Sequence, residues 1–302
     1  MSAATAGRGS LPRTNLTAQA PGWRPARWTL LGRFLRDRTG VAGSVIVLLF
    51  ILVAVAAPLL APHDPAEVDP TAFLAPPSTE HWLGTDNLGR DILSRLIFGA
   101  RWTLGTAFLA AVAIVTIGVT FGLIAGYFGG LLDDILMRVV DVLLAFPSLV
   151  LALAIVGMLG PSLWNVMIGM IAVWWVEYAR VIRGLTVSMR EREFVTAARC
   201  VGCPASRVIR CHVLPNVIPS VIVLASLELG ALMLAISGLS FLGLGAQPPT
   251  PEWGTMLSDG RLFFQNAPQL MLYPGLAITL AVIGTNLLGD GLRDVLDPRM
   301  KR

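Results

Sequence analysis

Lysine is all but missing from this chain: Lys301 is the single one among 23 basic residues, and the rest are arginine. A phosphate-cradling loop of the form G-x-x-x-x-G-K-S/T needs a lysine in that setting. Lys301 stands instead between Met300 and Arg302, so the chain binds no ATP by that route. Charge is scarce too, at 14% of residues against 55% hydrophobic, and the mean hydropathy is +0.70. A soluble domain keeps roughly a quarter of its residues charged, so this composition points to a membrane protein. The three cysteines, Cys200, Cys203 and Cys211, crowd into one stretch and offer no even disulfide framework. Neither an H-E-x-x-H motif nor a nucleophile–base pair is present, which argues against a membrane-embedded enzyme.

What the chain has in quantity is long apolar runs. A spanning helix needs about 20 apolar residues. Six stretches qualify: 41–60, 103–127, 142–159, 160–176, 217–244 and 266–289. The third begins nearer Ile135, with Arg138 and Asp141 at a wet end, and the fifth is interrupted only by Glu228. The expected fold is therefore all-α, a polytopic membrane protein with six transmembrane helices. Of the basic residues, 19 fall in connections on the side of both termini and 4 on the other. The positive-inside rule makes the N and C termini and the 177–210 connection cytoplasmic. A disordered cytoplasmic tail is expected over 1–28. An interfacial helix follows over 29–40, where Leu30, Leu31, Phe34 and Leu35 recur at helical spacing. The six-span domain covers 41–299, with an extracytoplasmic loop at 61–102 and a cytoplasmic loop at 190–216. Gly118, Gly122 and Gly126 form a small-residue ridge for close helix packing.

One segment breaks the apolar pattern: "EFVTAARCVGCPASRVIRCHVLPN", residues 193–216. Ala197 and Ala198 offer almost no side chain, and Gly202 and Pro204 break the first helix. A second helix over 205–213 then leads to Leu214–Pro215, which turns the chain into the fifth span. Two short helices, small at the tip and basic along the sides, suit a cleft in a cytosolic partner. A solvated loop is the plain alternative, and pattern alone leaves both open. Cys200, Cys203, Cys211 and His212 have the donor types of a zinc site. Cys200 falls within a helix, however, and cytosolic thiols are reduced by default, so no metal is expected.

The same segment resembles the coupling loop of ABC importer membrane subunits, whose pattern runs E-A-A, three residues, G, nine residues, I-x-L-P. Ala197, Ala198, Gly202, Leu214 and Pro215 match it, while Thr196 stands where that family usually has Glu and His212 where it often has Ile. "HWLGTDNLGRDILSRLIFGAR" (81–101), "LSFLGLGAQPPTPEWGTMLSD" (239–259) and "NLLGDGLRDVLDPR" (286–299) are similar to the C-type membrane subunit of dipeptide and oligopeptide permeases. The resemblance runs from about Arg33 to Arg299.

It implies one non-catalytic permease subunit of an importer in the bacterial inner membrane, surrounded by lipid. Its partners would be a second, homologous permease subunit in a heterodimer, two cytosolic ATPase subunits or domains, and an extracytoplasmic substrate-binding protein. Nucleic acid is not expected among them. No cofactor is expected in this chain, since ATP and Mg would be bound by the ATPase partners. By resemblance, ATPase coupling falls to Thr196, Ala197, Ala198, Gly202, Leu214 and Pro215. Docking of the binding protein, or the outer mouth, falls to Gly84, Thr85, Asp86, Arg90, Asp91, Glu252 and Trp253. Around 92–97 the residues Ile92, Leu93, Leu96 and Ile97 form the apolar face of an amphipathic helix packed on the spans, with Asp91 and Arg95 as an i,i+4 pair. Glu228, near the bilayer midplane, reads either as interhelical glue or as part of the translocation path. Dipeptides or oligopeptides are the expected cargo, with nickel chelates or haem as alternatives. A stand-alone secondary transporter or channel predicts inverted repeats and several midplane charges. The sequence offers no repeat and essentially one such charge.

Overall fold

A computed structural model of the chain describes residues 32–296. The 1–28 tail, the beginning of the interfacial stretch and the basic end at 297–302 lie outside the described residues. All regular structure within them is helical, apart from a single bridge between Thr85 and Asp91.

Residues 32–34 are helical, and a turn separates them from the first span. Asp37 ends that turn by accepting hydrogen bonds from the Thr39 and Gly40 amides at 3.2 and 3.0 Å, which starts helix α1, Arg38–Val55. Residues 38–40, expected in the interfacial helix, thus belong to the span. The Asp37 carboxyl is held below the usual carboxylate range, first by the hydrogen bond from the Thr39 hydroxyl. A single turn, α2 (Ala57–Leu60), follows. Outward faces of α1 stay apolar, with Val45, Leu48, Leu49 and Leu52 all more than half exposed. Such a surface belongs in lipid, where no water competes for it.

Helix α3, Ile92–Phe128, is 37 residues long and so reaches about 55 Å, well beyond the hydrocarbon core. The separate outer helix expected around 92–97 is its first turns, because nothing between Ile92 and Thr103 breaks the helix. Helices α4 (Gly130–Leu144) and α5 (Ser148–Leu159) meet at an 85° bend. Pro147 caps α5 at the break, and the residue before a proline is pushed out of helical geometry. The expected third span is therefore a bent pair rather than one straight helix. Its polar groups are held by α6 (Leu163–Arg190): Arg183 donates to Asp133 at 2.6 Å, and Arg180 pairs with Asp141. The fourth span, expected to end near Glu177, continues to Arg190, carrying these arginines past the apolar segment.

Two short helices, α7 (Glu193–Cys200) and α8 (Ala205–Val208), come next. A π turn over Ile209–Val213 joins α8 to α9 (Leu214–Phe241). The turn expected at Leu214–Pro215 does not occur. Pro215 lies in the first turn of α9, where its missing amide costs least, and the π turn absorbs the mismatch. An outer segment carries α10 (Trp253–Gly260), and α11 (Gln269–Leu296) ends the described chain.

Glycines set the helix contacts. A Cβ added at Gly118, Gly122 or Gly126 would come within 2.4–2.7 Å of Tyr178, Ala179, Ile182, Arg183 or Thr186. The ridge read from the sequence is the α3–α6 seam. Gly43 of α1 lies as close to the backbone of α11, 2.3 Å from Leu288 N by the same measure.

Candidate functional site

At one end of the bundle α7 and α8 form a knob. Val195, Ala198, Val208 and Val213 turn inward and pack with Leu123 and Tyr127 of α3, Ile182 of α6, and Val217 and Val221 of α9. The Arg199 guanidinium lies 4.9 Å over the Tyr127 ring, a cation–π contact that fastens the side of the knob. Gly202 closes the tip at φ 79°, a left-handed conformation that favours glycine, and the Cys203 amide donates to the Ala198 carbonyl at 3.1 Å. Thr196, Ala197 and Gly202 face outward, whereas Ala198 is only 9% exposed. Leu214 is half-buried and Pro215 exposed, both beyond the π turn. The six residues singled out here thus split into an outward face, one core residue and a junction with α9. Cys200 and Cys211 are exposed and Cys203 half-buried, all as free thiols, and among the described residues no metal-competent cluster includes them.

The opposite end of α3 carries an outer cap. Asp86 accepts from the Leu88 and Arg90 amides at 2.8 and 3.0 Å and from Arg90 Nε at 2.7 Å. Arg95 Nε lies 3.3 Å from the same carboxylate. Both arginines then reach Asp259 Oδ2, at 3.3 and 3.4 Å. Two cations and two carboxylates make a compact cluster joining the α3 N-terminus to α10. Burial pushes the Asp259 carboxyl above the usual carboxylate range, against the opposing pull of Arg95 and Arg90. Asp91 does not pair with Arg95. It caps α3 by accepting from the Ser94 amide at 2.8 Å and faces His81 at 3.1 Å. An i,i+4 pair was unavailable because the Asp91 side chain is committed to the helix end.

Glu252 is fully buried and caps α10, accepting from the Gly254 and Thr255 amides, both at 2.9 Å, and from the Thr103 hydroxyl at 3.1 Å. Trp253 lays its ring over Gly99 and donates its Nε1–H to the Leu96 carbonyl at 3.0 Å. Gly84, Thr85, Asp86, Arg90 and Asp91 are buried as well. All seven residues expected at the docking surface or outer mouth are thus enclosed in the chain, where their side chains hold the cap together. The meeting of Arg95 with Asp259 escaped the sequence reading. Their pairing spans 164 positions, and both lie inside quoted motifs whose spatial meeting no local pattern reveals.

Glu228 is half-buried and lines a narrow gap with Ala111, Ile114, Trp174, Tyr178 and Leu232, between α3, α6 and α9. Among the described residues it makes no side-chain hydrogen bond.

Comparison with known proteins fits this geometry. Residues 118–302 match the family described as "Binding-protein-dependent transport system inner membrane component". Residues 23–77 match the "N-terminal TM domain of oligopeptide transport permease C". The chain is 46% identical to a dipeptide transport system permease protein of Alkalihalophilus pseudofirmus, covering 96% of this chain and 94% of that one. Identity is 43% to a nickel transport system permease protein of Escherichia coli, over 88% of this chain and 97% of the relative. It is 42% to a glutathione transport system permease protein of Pectobacterium atrosepticum, over 89% and 90%. A multi-pass bundle with these matches has one reading: the chain belongs to the family of inner membrane components of binding-protein-dependent transport systems.

Proposed function

We propose that this inner-membrane permease subunit imports dipeptides or oligopeptides as half of a heterodimer with a second permease subunit. ATP binding and hydrolysis, with the Mg they need, are assigned to two cytosolic ATPase subunits or domains, and cargo delivery to an extracytoplasmic binding protein. Both termini and the knob lie in the cytoplasm in this reading, as the arginine distribution favours. The observation that carries it is the knob itself. An outward face at Thr196, Ala197 and Gly202 sits on a core shared with α3, α6 and α9. A push on that face is passed to three spans at once. Closure of an ATPase pair around the knob then rocks the spans and switches access from one side of the membrane to the other. Leu214 and Pro215 serve as the junction through which α9 follows. Glu228 is assigned to the polar wall of the path, where it meets the cargo amine.

Peptide cargo is preferred because the relative at 46% identity is named for dipeptide transport. The test is copurification followed by reconstitution. Full-length chain extracted in mild detergent should bring down an ATP-hydrolysing subunit and a second permease subunit, and uptake should require ATP. A chain that purifies alone and transports in liposomes without ATP would instead be a secondary transporter.

A further inference from the structure

Two of the chain's three histidines meet at one buried carboxylate, away from the knob and the proposed path. His63 follows α2, His81 lies further along the outer segment, and Asp91 caps α3. His81 Nδ1 is 3.1 Å from Asp91 Oδ1, and His63 Nδ1 is 3.9 Å from Asp91 Oδ2. One donor atom from each residue lies within 4.8 Å of the other two. The Asp91 side chain is 1% exposed, and His63 Nδ1 is a buried nitrogen without a hydrogen-bond partner. Such an orphan carries a desolvation cost that calls for a cause.

We propose that His63, His81 and Asp91 form a site for a divalent transition-metal ion of the zinc type, which fastens the outer segment to the N-terminus of α3. Zinc bonds of about 2.0–2.2 Å in a tetrahedron set ligand atoms about 3.4 Å apart. The observed separations, 3.1 and 3.9 Å, reach the two different oxygens of Asp91, and the three donor atoms lie within 4.8 Å of one another. Side-chain rotation, with the His81–Asp91 hydrogen bond given up, has to draw them onto the ion. Two imidazoles with one carboxylate suit zinc and its neighbours and leave a fourth position for water. Calcium and magnesium are poorly served, because they take six or more oxygens. The backbone of each ligand is fixed without the ion. The His63 amide donates to Ser94 Oγ at 3.0 Å, and the His81 amide donates to Ser78 Oγ at 3.0 Å. Side-chain exposures of 30% for His63 and 16% for His81 leave a route for the ion from solvent.

Zinc itself is the probe. The full-length chain, with its copurifying subunits and a histidine-free tag, is prepared with Cys200, Cys203 and Cys211 changed to Ser. It is stripped with chelator and dialysed against micromolar zinc. A His63→Ala/His81→Ala form in the same background is the control. The site predicts one more zinc per chain in the parent than in the control, and a zinc-induced rise in melting temperature confined to the parent. Cobalt(II) added to the parent alone should give the absorption of a tetrahedral nitrogen–oxygen site, a readout that does not depend on the control folding. Equal zinc in both forms, or a parent without that cobalt absorption, overturns the proposal.

Discussion

Which way a side chain faces decides the role of single residues. Ala197 and Ala198 are neighbours and match the same motif, yet Ala198 lies in the knob core with Val195 and Val208 while Ala197 is exposed. Ala198→Arg drives a charge into apolar packing and should lower the melting temperature measured in detergent. Ala197→Arg should leave stability within about 0.5 kcal/mol, as surface changes usually do. The outer cap allows a similar contrast. Asp86→Ala strips the buried carboxylate that faces both Arg90 and Arg95 and should be clearly destabilising, because two buried cations are left with Asp259 alone. Asp259→Ala should cost less, since its side chain is 29% exposed and water can replace it. Denaturation of the two variants side by side checks the order. At Glu228 the informative change is Glu228→Gln, which preserves shape and removes charge. The path assignment expects normal assembly and reduced uptake, most for cargo with a free amine. Unaltered uptake would return Glu228 to a packing role.

Among the helices, contacts follow the small residues. Gly122→Ala sets a Cβ 2.7 Å from the Ala179 carbonyl oxygen and from Ile182 Cβ. Backbone cannot yield as a side-chain tip can, so a loss of about 1–3 kcal/mol is expected. Gly184→Ala on α6 meets nothing within 4 Å and should be neutral or slightly stabilising, since alanine is the better helix former. Thermal unfolding of the pair measures the seam directly. This ridge was legible in the sequence because a four-residue glycine repeat has one physical use in a membrane helix. The apolar runs were legible too, as composition alone defines them. The continuity of α3 from Ile92, the 85° bend before Ser148 and the π turn at Ile209–Val213 were not. An apolar window reads composition and not direction, and Pro147 and Pro215 look alike until packing decides which one bends the chain. The charge cluster of Asp86, Arg90, Arg95 and Asp259 was hidden for another reason. Its contacts between the two motifs, Arg90 and Arg95 with Asp259, bridge 169 and 164 positions, and only the fold brings them together.

Across the whole molecule, α3 is the common shaft. Its first turns are locked into the outer cap by Trp253 and the charge cluster, and its last turn packs in the core of the knob through Leu123 and Tyr127. In the proposed cycle, a displacement at the knob would be carried along about 55 Å of helix to the opposite end of the bundle. The membrane subunit needs no chemistry of its own for this, only rigidity at both ends and lipid-compatible faces between. The measurement that bears most directly on the account is uptake and cargo-stimulated ATP hydrolysis by the reconstituted transporter carrying Ala197→Arg, whose bulk falls on the exposed knob face and spares its core. The account predicts a stably folded permease that has lost both activities. Wild-type rates of uptake and stimulated hydrolysis in that variant would contradict it.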